Sequence, residues 1–485
     1  MIPPDTPESL DPPDWDALRR LAHRAVDDGL NYLQRVRERP VWQPIPERVT
    51  AQLRGPAPRE PQGADRAYAD FSEYVLPYPM GNIHPRFWSW FMGNGTAFGA
   101  VADFLAAVMN PNMGGGNHVA NHVEAQVLDW SKEMIGFPAE ASGLLVSGGS
   151  VANFVGLAVA RNARSGVDVR ELGVAAIPKP LVTYASVEVH SCVQTAIESL
   201  GLGARSLRKV PVDAAYAIDV AALERMIAED RSAGRQPFCV IGNAATINTG
   251  ATDDLEQLAT VCEREHLWFH VDGAIGSLLA LAPKHRHLVR GIERADSVTL
   301  DFHKWLHVPF EAACVLVRDR QAHREAFALT PEYLEKTERG LASGAHWFSE
   351  YGLQLSRGFR ALKVWMTIKE HGLDRFGRLI DRNIEQAQEL AALIAAEPQL
   401  QLVAPVPTNI VCFRFDPGGR DTAALNALNQ ELLIRLHESG IAAPSYTTLG
   451  EVYCLRAAIT NFRTTSEDLR VLVRAVVEIG RSLVN

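Results

Sequence analysis

From about residue 96 onward, helical periodicity alternates with short apolar runs, and this alternation constrains the fold more than any other feature of the chain. Apolar residues recur at helical spacing over 98–109, 118–135, 150–164, 189–200, 219–233 and 253–265. Among them stand GLLV at 143–146, LVTYA at 181–185, FCVIG at 238–242, LWFHVD at 267–272, SVTLD at 297–301 and AACVLVR at 312–318. Such continuous runs predict strands buried on both faces, and strands separated by helices run mainly parallel. The alternation therefore predicts an α/β domain on a mainly parallel sheet. Ligands on such sheets collect beyond the carboxyl ends of the strands, so the residues just after each run are the ones to inspect.

The flanks read differently. Residues 1–13 carry five prolines and predict a loose start. A helix is predicted from Asp14 or Asp16, both good caps, to about Arg37, with Leu18, Leu21, Ala25, Leu30 and Leu33 at helical spacing. Pro40, Pro44, Pro46, Pro56, Pro58 and Pro61 then predict an arm without regular structure. A lone helix on such an arm cannot bury its own apolar stripe, so it is expected to lie on a partner subunit or along the main body. Helical patterns beyond Trp365 run to about residue 396. Apolar runs near 401–415 and 452–460 and a last helix from Ser466 then predict a separate C-terminal module. The expected division is an N-terminal helix and arm over 1–90, a large α/β domain over 91–370 and a small α+β domain over 371–485.

Composition removes several classes of function. The net charge is −9 without a basic run, so nucleic acid is not an expected partner. The six cysteines are scattered, no CxxC pair occurs, and a reducing cytoplasm is the expected location. No apolar run approaches the ~18 residues of a membrane span. The proline-rich, acidic start has no signal-peptide pattern. His118 and His122 stand four apart on a predicted helix but lack acidic partners, so no metal site is expected.

The strand ends carry the chemistry. After GLLV, Ser147-Gly148-Gly149-Ser150 opens a helix. Free amides, a hydroxyl and a positive helix end make a phosphate cradle there, although the same residues also suit a plain capped turn. After LVTYA comes His190, which alone reads as a surface histidine; after FCVIG comes a polar loop with Thr246, Asn248 and Thr249. Asp272 ends LWFHVD, and a carboxylate ending an apolar strand needs a partner. That partner is an arginine, a helix end or a cofactor cation. A pyridinium about 4 Å away would gain about 4 kcal/mol at an effective dielectric of 20, or about three pKa units.

Lysine is scarce, with eight residues against forty arginines. Seven lie in polar or helical surroundings and are expected to be solvated. Lys304 alone follows an apolar strand and precedes Trp305-Leu306, where desolvation frees an amine to attack a carbonyl. A phosphate cradle, an acid for a pyridinium and a nucleophilic lysine are together what pyridoxal 5′-phosphate requires.

At this point the chain resembles the group II pyridoxal-phosphate-dependent decarboxylases, the aromatic-L-amino-acid decarboxylase family, over nearly its whole length. The matches are His84-Pro85-Arg86-Phe87-Trp88, the HVDGA segment around Asp272, His303-Lys304-Trp305, Leu355-Ser356-Arg357-Gly358-Phe359-Arg360 and Ile459-Thr460-Asn461-Phe462-Arg463-Thr464-Thr465. The resemblance implies the fold of type I pyridoxal-phosphate enzymes, like aspartate aminotransferase, with a seven-stranded large-domain sheet. It implies that Lys304 holds the cofactor covalently, Asp272 pairs with the pyridinium and His190 stacks on the ring. It further implies that Gly149 and Ser150 bind the phosphate, that Thr246 and Ala274 line the ring, and that His303 belongs to the cofactor site. A homodimer clasped by the N-terminal arm is implied as well.

Tyr333 stands where the family's mobile loop carries a tyrosine that helps protonate the intermediate; aldehyde-forming relatives commonly have phenylalanine there. The chain also departs from the pattern. Ala244-Ala245-Thr246 replaces Gly-Thr-Thr, and FMGNGTAFG after Trp90 differs from the aromatic enzymes. Asp301 replaces an asparagine near the phosphate and is expected to point elsewhere, because a carboxylate beside a phosphate is unfavourable. Trp88, Trp90 and Phe91 suit an apolar substrate pocket or a core equally well. Ser356 follows a family position associated with phenolic substrates. The function implied is α-decarboxylation of an L-amino acid, with an aromatic substrate expected. The alternatives are aldehyde-forming decarboxylation, transamination or another lyase reaction, and a catalytically inactive regulatory homologue.

Overall fold

The computed structural model describes residues 9–329 and 337–484. A two-residue strand, β1 (Phe87–Trp88), precedes the main sheet. That sheet holds β2 (Ser142–Val146), β3 (Leu181–Ser186), β4 (Leu207–Val210), β5 (Gln236–Asn243), β6 (Trp268–Asp272), β7 (Ser297–Asp301) and β8 (Ala313–Val317). Their spatial order is β2-β8-β7-β6-β5-β3-β4. Neighbours from β7 through β6, β5 and β3 to β4 pair in parallel, while β8 runs against β2 and β7. The fold is thus the expected α/β architecture with a mostly parallel seven-stranded sheet. Every residue of β3, β6, β7 and β8 is buried, which is why these strands read as unbroken apolar runs.

The alternating helices are Ala97–Met109, Val119–Ile135, Gly149–Arg164, Ser191–Ser199, Val220–Ser232 and Leu255–Glu265. Thr96, Asp219 and Asp254 start three of them by accepting a backbone amide on the side chain. The segments that leave β2, β3, β5, β6 and β7 share one edge of the sheet, because these strands all run the same way. Those after β2, β3 and β5 lead into helices, and the one after β7 turns back into β8.

A second sheet follows, with β9 (Leu400–Leu402), β10 (Ile410–Phe415), β11 (Ala443–Leu449) and β12 (Val452–Ala458). β1 joins its edge, in the order β1-β11-β12-β10-β9. Helices Leu373–Ala396, Thr422–Glu438 and Ser466–Val484 close a second core with it around Leu390, Phe413, Leu432 and Leu472. Trp88 is fully buried in that core and is not a pocket residue. Two motif segments far apart in the chain meet here. Asn461 donates to the His84 carbonyl at 2.8 Å, and Thr464 donates to that of Pro85 at 2.6 Å.

The proline-rich arm departs from expectation. Helices Glu47–Gln52 and Ala64–Asp70 form in it. Pro46 caps the first, where a missing N–H breaks no helical bond. The N-terminal helix Trp15–Gln34 starts on Asp14, which accepts the Asp16 and Ala17 amides. None of its residues is buried. No helix among the described residues is long and apolar enough to cross a membrane.

Four of the five histidines buried among the described residues dominate the fold's response to acid. Burial pushes His84 down to about 4 and His270, His307 and His323 down to about 3. Each titrates near 6.5 when exposed, so below that pH the unfolded chain binds protons that the folded chain refuses. Stability therefore falls as pH drops, by about 1.4 kcal/mol per pH unit for each histidine. Asp253 opposes this. Burial pushes its carboxyl up to about 6, so the folded chain takes that proton first and gains stability as pH falls from there. The histidines outnumber it. Denaturant midpoints should hold steady from pH 8 to 7 and fall steeply between about 6.5 and 4; a flat profile would contradict the neutral burial of these rings.

Candidate active site

The turns at the carboxyl edge enclose a cavity of about 470 Å³. Gly149, Ser150, His190, Thr246, Asp272, Ala274, His303 and Lys304 all line it, so eight of the nine expected site residues converge. The ninth, Tyr333, lies outside the described residues.

The cradle forms where Gly149 opens its helix, at which the first amides have no helical partner. A Cβ on Gly149 would stand 2.9 Å from that of Ala274 and 3.2–3.3 Å from the Asp301 oxygens. Only glycine leaves this space for a ligand. Arg357, from the 355–360 motif, steadies the strand below. It donates to the carbonyls of Leu145 at 2.6 Å and Met113 at 2.8 Å and pairs with buried Glu124.

Asp272 is held from two sides. Its Oδ1 accepts from the Ala274 amide at 3.2 Å and its Oδ2 from Asn153 Nδ2 at 3.0 Å. Asn153 Oδ1 in turn accepts from His270 Nε2 at 2.8 Å and Thr299 Oγ1 at 2.7 Å. An amide oxygen accepts only, so the His270 proton is on Nε2, and Ser297 donates to Nδ1 at 2.7 Å. Two donors on one oxygen also fix the Asn153 amide with its NH2 toward Asp272. Sequence reading missed this relay, although its signals were present. Asn153 stands one helical turn after Ser150, and His270 shares a strand face with Asp272.

His190 caps its helix, and its Nδ1 accepts the Cys192 amide at 3.2 Å, which places the ring proton on Nε2. Thr246 is buried in a loop turned by Ala245, whose φ is +63°, and its hydroxyl meets that of Thr249 at 3.2 Å. Burial pushes the His303 imidazole below its ordinary value. Its Nδ1 accepts from the Ala312 amide at 3.2 Å, and its ring lies 4.4 Å from that of Phe310.

Two expectations about charge need correction. Lys304 Nζ lies 3.1 Å from Asp301 Oδ2, so Asp301 points into the site and not away from it. It takes the place of an anion beside the helix end, where a carboxylate is favourable as long as the ammonium faces it. Nor are the other lysines all solvated. Lys132 and Lys363 are both 5% exposed, less than Lys304. Lys132 reaches the Ala139 carbonyl at 2.6 Å, and Lys363 reaches Asp103 at 3.1 Å. Position at the sheet edge singles out Lys304; burial does not.

Trp90, Phe91 and Phe310 line the same cavity. The segment carrying the first two crosses the Lys304 turn. Gly93 donates to the His303 carbonyl at 3.0 Å, and a Cβ there would come within 2.4 Å of the Lys304 oxygen. Ser356 is exposed and does not line the cavity.

Comparisons with known proteins agree with this geometry. The model of the pyridoxal-dependent decarboxylase conserved domain matches residues 46–416. An aromatic-L-amino-acid decarboxylase of Bacillus atrophaeus is 35% identical over 472 residues, 96% of each chain. A phenylacetaldehyde synthase of Arabidopsis thaliana is 29% identical over 93% of each. A crystal structure of Oryza sativa TDC with PLP and tryptamine superposes with a TM-score of 0.90 at 25% identity, covering 98% of this chain and 100% of that one. With the cradle, the held carboxylate and the strand-end lysine in one cavity, the chain belongs to the pyridoxal-dependent decarboxylase family and is a pyridoxal-phosphate-dependent amino acid carboxy-lyase.

Proposed function

We propose that the enzyme removes the α-carboxylate of an aromatic L-amino acid, yielding the amine and carbon dioxide. The observation that carries this reading is the cavity itself, which is lined by Lys304 and Asp272 together with Trp90, Phe91 and Phe310. Flat apolar faces suit an aromatic side chain. Bound pyridoxal phosphate supplies the electron sink for the bond that breaks.

The chain's residues take the remaining tasks. The Gly149 and Ser150 amides hold the phosphate at the helix end. Asp272, aimed by Asn153 and Ala274, keeps a proton on the pyridine nitrogen. His190, Thr246 and Ala274, which line the same cavity, would contact the cofactor's ring. Lys304, whose Nζ lies in the cavity beside Asp301, would hold the cofactor through that amine. Tyr333 returns a proton to the substrate Cα, and His303 backs the cofactor site opposite Phe310. The large domain over 91–370 carries these groups in this reading, and the small domain over 371–485 closes against it.

Assay of twenty amino acids for amine, carbon dioxide, aldehyde and peroxide tests this function. Amine with stoichiometric carbon dioxide from an aromatic substrate is expected. Keto acid that depends on an acceptor would make the enzyme a transaminase. In a Tyr333→Phe variant, amine formation should drop by at least about 10²-fold, the lower range for a positioned proton donor. Unchanged amine production would remove Tyr333 from the reaction.

We also propose that the enzyme works as a homodimer. The Trp15–Gln34 helix buries no residue, and Ala97–Met109 exposes Phe98, Phe104, Val108 and Met109. Apolar faces of this kind belong under a second copy. Sedimentation should give twice the 53.2 kDa of the chain, and Phe104→Asp with Val108→Asp should halve it. A wild-type single-chain mass at micromolar concentration would end this proposal.

A further inference from the structure

Asp301 closes β7 with 2% of its side chain exposed. Its Oδ2 lies 3.1 Å from Lys304 Nζ and 3.6 Å from His303 Nε2. Its Oδ1 is buried without a hydrogen-bond partner among the described residues. Both oxygens lie within 3.3 Å of the position a Gly149 Cβ would occupy. A buried carboxylate thus abuts the first turn of the helix that forms the anion cradle, with one oxygen unsatisfied.

A phosphate seated on the same amides brings a second anion against the first. Two like charges confined this closely do not both stay ionised; one group takes a proton. The surroundings decide which. From its own turn Asp301 faces Lys304 and His303, the second held below its ordinary value by burial and therefore neutral. Glu311, on the approach to β8, and Asp272, on β6, line the same cavity and add negative charge; His190 and Cys192 line it as well. Cys314 of β8 is a buried thiol, and the first turn of the Gly149 helix brings no titratable side chain. Lys304 is the one cation facing the carboxylate among the described residues, and it is the group the cofactor's aldehyde engages.

We propose that Asp301 binds the cofactor's phosphate as the neutral acid. Loading draws one proton from solvent onto the carboxylate, and the acid O–H then donates to a phosphate oxygen. This rests on the seating of the phosphate at Gly149 and Ser150. It makes cofactor affinity proton-linked, which an asparagine at this position would not do.

Calorimetric titration of the apo-protein, between pH 6.5 and 8.5 in buffers of different ionisation enthalpy, tests the proposal. The wild type should take up about one more proton per pyridoxal phosphate bound than Asp301→Asn. Its Kd should weaken with pH up to about tenfold more per unit than that of the variant. Pyridoxal, which lacks the phosphate, should remove both differences. Equal proton counts and equal slopes would overturn the proposal. So would a difference that persists with pyridoxal, since Asp301 would then act through Lys304 alone. Failure of the wild type to bind pyridoxal phosphate at any pH would instead overturn the cofactor site beneath it. Asp301→Ser, uncharged and smaller, repeats the comparison if the asparagine variant does not fold.

Discussion

Replacing Lys304 with alanine is expected to lower kcat by on the order of 10⁴-fold, the upper range for one positioned acid–base group, and to abolish the yellow colour of the bound cofactor. The residue stands at the carboxyl edge of the sheet, its Nζ already drawn into the cavity by Asp301. No neighbour takes over. Lys132 and Lys363, the buried lysines among those described, are tied to the Ala139 carbonyl and to Asp103 and do not line the cavity. A Lys304→Ala enzyme that kept its colour and its turnover would mean that another amine holds the cofactor.

The second large effect is expected at Asp272. A carboxylate about 4 Å from a pyridinium is worth about 4 kcal/mol at an effective dielectric of 20. That equals about three pKa units, enough to decide whether the ring nitrogen is protonated at neutral pH. Asp272→Asn keeps the shape and discards the charge, so kcat should drop by about 10³-fold if the whole difference reaches the transition state. Asp272→Glu should retain more activity than Asp272→Asn, since it restores the charge at a displaced position. A loss under about tenfold in Asp272→Asn would show that the ring proton does not depend on this carboxylate.

How much of this was legible in the sequence follows from what each residue faces. FCVIG and SVTLD were readable as strands because both faces of β5 and β7 are covered. β4 escaped notice because it is an edge strand, and its Lys209 is exposed. β11 escaped because Pro444 and alternating polar residues hide it. Its partner on that edge, β1, comes from far away in the chain.

The site divides in the same way. Lys304, Asp272 and the Gly149 turn announce themselves by following apolar runs. Asp301 follows one too, but its direction depends on Lys304 and Gly149, which only the folded turn brings against it. The burial of Lys132 was equally hidden, since its ammonium is met by carbonyls of a later loop. Trp88 and Trp90 are two residues apart, yet one fills the second core and the other walls the cavity. The backbone turns at Trp90, where φ is +53°.

Borohydride reduction of the yellow holoenzyme, followed by peptide mapping, tests the central claim most directly. Reduction fixes the cofactor permanently to whichever amine carries it. The account predicts one labelled peptide, with the added mass on Lys304. A label on Lys132, Lys363 or any other lysine, with Lys304 unmodified, would contradict it.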